Sequence, residues 1–171
     1  MKKTISFRND ILPMKDMLFR LALRITLSKE EAEDIVQDTL IKVWNQRERW
    51  DEIDSIEAFS TTICRNLALD RIKRKGSDNA SLDDIGSHEP AAQSNPYEKT
   101  QQRDRLELIR RLIDSLPEKQ RSCMQLRDIE GKPYKEIAAI LGISEDQVKV
   151  NIFRARQAIK QQFTKYEQYG L

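Results

Sequence analysis

The sequence is poor in turn-forming residues and in long apolar runs. Its 171 residues include only five glycines and five prolines, too few for the many tight turns of a fold made of short strands. No stretch approaches the roughly 18 apolar residues that a membrane span needs. The two lysines near the start are not followed by the apolar segment of a signal peptide. We therefore expect a helical cytoplasmic protein without direct membrane insertion.

Residues with catalytic or metal-binding chemistry are also scarce. Cys64 and Cys123 stand far apart within apolar helical patterns, which favours buried thiols over a disulfide or a zinc site. The single histidine, His88, lies in a polar segment and is expected to be solvated. We find no pattern of a paired-carboxylate site, a metal cluster or a phosphate-binding loop, so we expect no enzyme activity, no metal and no cofactor.

The chain divides into three zones by composition. A helical pattern extends from about Met14 to Lys75 and returns from Tyr97, whereas Gly76 to Pro96 is rich in Gly, Ser, Asp, Asn and Pro, which is typical of a linker. The prediction is an all-α fold with two small helical domains, residues 10–75 and 99–165, joined by a flexible linker at 76–98. Net charge is only +2, so the distribution of charge matters more than its sum.

The N-terminal zone predicts three helices, the first around Leu18 to Leu27. Ser28 and Glu31 form the capping-box pattern of the second helix. Apolar residues at helical spacing give that helix a core face. Its opposite face carries Asp34, Gln37, Asp38 and Ile41, with Trp44 at its edge. Single exposed apolar residues are common, but an isoleucine and a tryptophan beside two aspartates indicate a partner surface.

A third helix is predicted from Ser55 to Lys75, and its second half is basic. The cations are Arg65, Arg71, Lys73, Arg74 and Lys75. Favourable interaction with the helix dipole explains two or three of them, but less naturally all five.

The C-terminal zone contains the strongest pattern in the chain. Helices are predicted at Asp104 to Leu116 and Pro117 to Ile129. A short helix then ends at Gly142, and Ser144 begins another, with Gln147 at the capping-box position. The spacing of Ala138, Gly142 and Val148 is typical of a helix-turn-helix. We therefore expect a helix-turn-helix, winged-helix-like domain.

The second helix of this motif predicts a DNA-reading surface. No acidic residue occurs between Lys149 and Lys160, whereas a merely solvated face would normally mix charges. Cations can neutralise phosphates or bind guanine, and apolar side chains can touch thymine methyl groups. The expected reading residues are Lys149, Val150, Phe153, Arg154 and Arg156. This helix alone does not separate an initiation factor from another DNA-binding regulator.

With these residues in view, the chain resembles an extracytoplasmic-function (ECF) RNA polymerase sigma factor of the sigma-70 family. AEDIVQDTLIKVW (Ala32 to Trp44) resembles the segment that binds core polymerase, and AFSTTICRNLALDRIKR (Ala58 to Arg74) the segment that engages the minus-ten element. Leu116 to Lys160 resembles the reader of the minus-thirty-five element. Phe59 and Ser60 depart from the usual Trp-Leu, and Gln147 and Val150 replace a common threonine and a small polar residue.

The resemblance implies roles for specific residues. Asp34, Gln37, Asp38 and Ile41 would dock on the clamp of the largest polymerase subunit. The minus-ten contacts would be Trp50, Arg65, Asn66, Arg71, Lys73 and Arg74, with Trp50 helping to capture a flipped base. The other implied partners are the polymerase flap, promoter DNA and an anti-sigma factor.

Two other interpretations of the sequence remain at this stage. A helix-turn-helix regulator would bind DNA without being a polymerase subunit, and the motif from Asp34 to Trp44 argues against it. A helical protein-interaction adaptor would show no DNA affinity at any salt concentration.

Overall fold

The computed structural model describes residues 4–78 and 97–169, and those residues are helical, with no strand among them. The predicted all-α fold is confirmed. The N-terminal half contains α1 (Lys15–Thr26), α2 (Lys29–Asn45) and α3 (Ile56–Asp78). The C-terminal half contains α4 (Tyr97–Asp114), α5 (Glu118–Met124), α6 (Tyr134–Leu141) and α7 (Glu145–Tyr169). Shorter π or 3₁₀ turns occupy Phe7–Ile11, Leu12–Met14, Arg47–Glu52 and Gln125–Ile129.

Two helices are longer than the amphipathic segments that predicted them. Helix α3 continues to Asp78, three residues into the segment predicted as linker, and α4 begins at Tyr97 rather than Asp104. The remainder of that segment, residues 79–96 with His88, lies outside the described residues.

Three mutually packed helices form the N-terminal domain. Leu18, Leu21 and Ile25 recur at helical spacing on α1 and are almost fully buried. The tight connection to α2 uses Leu27 at φ 58°, a left-handed conformation that is costly for a residue with a side chain. Ser28 then accepts a hydrogen bond from the backbone N–H of Glu31 at 3.4 Å, which confirms the predicted cap.

The helix-turn-helix is built as its sequence predicted. Gly142 adopts φ +66° at the end of α6. In the capping box of α7, Gln147 N–H donates to Ser144 Oγ at 3.1 Å, and Ser144 N–H donates to Gln147 Oε1 at 3.0 Å. Val148 is fully buried between the two helices. Local chemistry therefore fixes the direction in which α7 leaves the turn.

We expect Gly142→Ala to lower the free energy of unfolding by about 1 kcal/mol, because the left-handed backbone is strained for alanine. Nothing crowds the site within 4 Å, so backbone strain is the main cost. The control, Gly76→Ala in α3, should instead raise stability by about 0.5–1 kcal/mol. Urea denaturation of both variants measures the two shifts, and equal signs would contradict this account.

Both cysteines are free and fully buried, as predicted. Burial raises the pKa of the Cys64 thiol to about 12 and that of Cys123 to about 11. Within the described ranges, no helix has the length and apolar character to cross a membrane.

The two domains pack against each other, which the sequence did not predict. Helix α1 contacts α5, and α3 contacts α6. Buried residues of both domains form one continuous apolar cluster, in which Leu18 and Ile35 belong to the first domain and Leu126 and Ile137 to the second.

Candidate functional site

The predicted reading surface of α7 lies on the side away from the core. Val148, Ile152 and Ala155 are buried against the rest of the domain. The structure places all five predicted reading residues at the surface: Lys149, Val150, Phe153, Arg154 and Arg156. Phe153 is 63% exposed and Val150 44% exposed. Two large apolar side chains are thus exposed to solvent beside positively charged side chains.

Two of the three cations on this surface are already positioned by neighbours. Arg156 donates through two guanidinium nitrogens to the Asp128 carboxylate, and this hydrogen bonding raises the pKa of Arg156. The ammonium of Lys149 lies 5.7 Å from the centre of the Tyr134 ring, within cation–π range. Among the residues that the structure describes, no carboxylate is within ion-pair distance of exposed Arg154, so its guanidinium is available to a ligand.

The predicted polymerase surface lies on α2. Asp34 and Gln37 are exposed, Asp38 is half-buried, and Ile41 is 57% exposed. Their arrangement on one side of the helix follows the predicted spacing. The surface therefore offers an apolar side chain beside carboxylates and an amide.

Arg71 joins this surface to the basic end of α3. Its guanidinium is 2.5 Å from Glu31, 3.3 Å from Asp38 and 3.9 Å from Asp34. The hydrogen bond to Glu31 raises the pKa of Arg71. A residue predicted to hold DNA phosphates is thus bound to carboxylates on the predicted polymerase surface, and a phosphate must compete with them.

The Glu31 carboxylate lies between Lys75 and Arg71 and does not complete the capping box. Hydrogen bonds from Lys75 and then Arg71 lower its pKa below the usual 4.5. A depressed carboxyl pKa contributes stability that is fully present above the unfolded-state pKa and is lost as the pH falls through the folded-state pKa.

We therefore expect Glu31→Gln to destabilise the chain by about 1 kcal/mol at pH 7. The difference from the parent should shrink as the pH falls below about 4.5, because the parent carboxyl then also becomes neutral. Thermal unfolding between pH 7 and pH 3 measures it. Glu33→Gln, an exposed neighbour on α2, is the control and should stay within about 0.5 kcal/mol of the parent. A difference that does not change with pH would contradict the ionic origin.

The predicted minus-ten residues are not all accessible. Asn66, Lys73 and Arg74 are exposed on α3. Arg65 is only 9% exposed. Trp50 is 7% exposed, and its Nε1 donates to the Val43 carbonyl at 3.0 Å. In this conformation, therefore, neither the Trp50 ring nor the Arg65 guanidinium is accessible to a DNA strand.

A more accessible aromatic side chain lies beside Trp50. Trp44 is 44% exposed, its ring centre is 6.0 Å from that of Trp50, and the Arg47 guanidinium lies 4.8 Å from the Trp44 ring centre. Phe7 meets the Trp44 ring edge-on at 5.4 Å. The sequence placed Trp44 only at the margin of the α2 surface, and the 3₁₀ turn that brings these rings together has no periodic pattern.

Comparison with known proteins agrees with this arrangement. Residues 11–77 match the family model for sigma-70 region 2, and residues 106–159 match that for sigma-70 region 4. The ECF RNA polymerase sigma factor SigL of Mycobacterium tuberculosis is 33% identical over 147 residues, covering 84% of this chain and 81% of SigL. The chain belongs to the ECF sigma factors of the sigma-70 family. Its function is that of such a factor, promoter-specific initiation of transcription.

Two further comparisons extend this result. The ECF sigma factor SigE of Mycolicibacterium smegmatis is 33% identical over 153 residues, and the match spans 88% of this sigma factor but only 59% of SigE. The sigma factor RpoE of Bartonella quintana, solved with the anti-sigma factor NepR, has a similar fold, with a TM-score of 0.73 at 24% identity over 92% of this chain and 96% of RpoE.

Proposed function

We propose that this sigma factor binds core RNA polymerase through the α2 surface and reads a promoter at two elements. The domain at residues 10–75 engages the minus-ten element, the domain at 99–165 reads the minus-thirty-five element, and residues 76–98 link them. The main support for this proposal is the surface of α7, where exposed Val150 and Phe153 lie among positively charged side chains. The factor acts in the cytoplasm and contributes no catalytic residue of its own.

Core polymerase and the sigma factor are expected to contribute different kinds of DNA contact. Core polymerase holds DNA largely through phosphate contacts, which carry no sequence information. On α7, Arg154 supplies the geometry for a guanine edge and Phe153 an apolar contact for a thymine methyl group. Because both domains belong to one chain, engagement of one element raises the effective concentration of the other domain at its own element.

At the minus-ten element, the exposed side chains would act first. Asn66 offers an amide to base edges, and Lys73 and Arg74 offer charge to phosphates. Arg71 would join them when a phosphate displaces its carboxylate partners. Trp50 and Arg65 need a local rearrangement before they can contact the opened strand.

The partners follow from these surfaces and from the comparison. The α2 face would dock on the clamp of the largest polymerase subunit, and the C-terminal domain would contact the flap. The RpoE structure was solved with an anti-sigma factor, which supports a partner of the same class for this chain.

Transcription in vitro tests the proposal directly. The purified chain is added to core polymerase on fragments of the source genome, and the start sites are mapped. We expect start sites that depend on the chain and share two spaced sequence elements. DNA binding without chain-dependent initiation would instead support a regulator, and absence of both would support an adaptor.

A further inference from the structure

The two arginines of the predicted reading surface of α7 have different surroundings. Arg154 is exposed, and its guanidinium forms no ion pair with a described residue. The side chain of Arg156 is 52% exposed, but its Nε and Nη2 atoms both donate to the carboxylate of Asp128, with Nε at 3.1 Å. One guanidinium must therefore be ordered when DNA binds, whereas the other is already held in place.

Asp128 lies on a segment that is itself well fixed. It belongs to the π turn Gln125–Ile129, in which Leu126 is fully buried. Arg127 donates through Nη1 to the Lys132 carbonyl at 2.9 Å, and the Lys132 N–H donates to the Leu126 carbonyl at 2.9 Å. The backbone around Asp128 is thus tied to the core of its domain. A carboxylate on such a support can hold its partner in one geometry.

The hydrogen bonds to Asp128 use only one edge of the Arg156 guanidinium. An arginine presents its N–H donors as a planar fork, and Nε with Nη2 is the edge that meets the carboxylate. The other edge, Nη1 with Nη2, is not engaged by this pair. Its parallel donors match the O6 and N7 acceptors of guanine. Asp128 therefore sets the direction in which that second edge points.

The charge of this pair favours a base over a phosphate as its ligand. A phosphate that approached Arg156 would also approach the Asp128 carboxylate, and the two anions would repel each other. The pair is close to neutral as a unit, so it would release few counterions from DNA. A base edge carries no net charge and is not repelled in this way. Because Arg156 is already ordered, the contact also costs less side-chain entropy.

We propose that Asp128 is a positioning residue for promoter recognition, which holds Arg156 so that its second edge reads a guanine of the minus-thirty-five element. The proposal deepens the proposed function and rests on it. Asp128 itself touches no base. Without its carboxylate, Arg156 could turn toward a phosphate, and a sequence-specific contact would be exchanged for a nonspecific one.

Nuclear magnetic resonance of the full chain tests the positioning without DNA. The order parameter of the Nε–H bond reports how far each guanidinium moves on the fast timescale. We expect a higher order parameter for Arg156 than for Arg154 in the parent, and similar values for the two in Asp128→Ala. Similar values already in the parent would overturn the proposal, because Asp128 would then not hold Arg156 in solution.

DNA binding by the full chain tests recognition. Fluorescence anisotropy is measured on duplexes with a mapped minus-thirty-five element, on the same duplexes with one base pair substituted, and on a scrambled duplex. In the parent, substitution of the guanine should weaken binding by about tenfold or more. In both Arg156→Ala and Asp128→Ala, that penalty should fall to about threefold or less, while the penalties at other base pairs remain. Asp128→Ala should also bind the scrambled duplex more tightly, with a salt slope steeper by about one.

Glu107→Ala is the matched control, because it also takes a carboxylate from an arginine, Arg111, but on α4. It should leave the penalty at every base pair unchanged. A folding defect in Asp128→Ala would weaken binding to the scrambled duplex, which is the opposite of the expected change. Parental discrimination by Asp128→Ala, or an equal loss at all base pairs, would overturn the proposal. A parent that does not discriminate would contradict the proposed function, whereas the order parameters would still decide whether Asp128 holds Arg156.

Discussion

Arg154→Ala should weaken binding to minus-thirty-five DNA by about tenfold to a hundredfold, the loss of about 1–3 kcal/mol expected for an arginine that reads a base. Arg154 is exposed on α7, so its guanidinium can meet a base edge without first breaking an ion pair with the described residues. The measurement is fluorescence anisotropy on duplexes from mapped promoters, over a range of salt concentrations. A base contact predicts reduced discrimination between the promoter and a duplex with that element scrambled.

The control for this prediction is Arg111→Ala, which removes an exposed arginine of the same domain from α4. It should leave discrimination intact. Lys149→Ala provides a second comparison, since a phosphate contact should weaken all duplexes alike and reduce the salt slope by about one. If Arg154→Ala weakened all duplexes equally and left discrimination unchanged, Arg154 would be a phosphate contact and the reading would belong to other residues.

Ile41→Ala should weaken binding to core polymerase by about thirtyfold. Loss of most of an isoleucine side chain from an apolar contact costs about 2 kcal/mol, which corresponds to that factor. The fold should survive, because Ile41 is 57% exposed on α2 and alanine favours a helix. Affinity for core polymerase is measured with a fluorescent chain, and binding of the isolated minus-thirty-five duplex is measured in parallel and should not change.

Leu12→Ala is the matched control, an exposed apolar residue of the same domain that lies outside the α2 surface and is 41% exposed. It should bind polymerase as the parent does. Equal losses for Leu12→Ala and Ile41→Ala would show that the contact is not specific to α2. A loss of duplex binding by Ile41→Ala would contradict the separation of polymerase and DNA surfaces between the two domains.

The sequence predicted best where local chemistry determines structure. Gly142, Ser144 and Gln147 encode the turn of the helix-turn-helix within six residues, and the structure confirms each of their roles. The exposure of Ile41 followed from helical periodicity alone. The helical pattern was seen to return at Tyr97, where α4 begins, but the amphipathic helix was predicted only from Asp104. Tyr97 to Arg103 is polar and lacks an apolar stripe, although glutamate, lysine, glutamine and arginine are good helix formers.

Features that depend on tertiary contact were beyond the sequence patterns. The ion pair of Arg20 and Glu130 joins residues 110 positions apart. Sequence spacing predicts contacts only within a helix or a turn, so it could not predict this pair. The burial of Trp50 depends on a short 3₁₀ turn without periodicity. Arg65 is buried beside Glu118 of the C-terminal domain, 53 positions along the chain. The residues of the predicted site could therefore be named from the sequence, but which of them are accessible to DNA could not be predicted.

The burial of the two cysteines has a consequence for their reactivity. Burial raises the thiol pKa values to about 12 and about 11, so both side chains are held as the neutral thiol at neutral pH. Since the thiolate is the form that attacks peroxides and disulfides, these two buried thiols are poor targets for oxidants. Neither thiol of the folded chain is therefore placed to react readily with an oxidant, and exposure of either would require its domain to open.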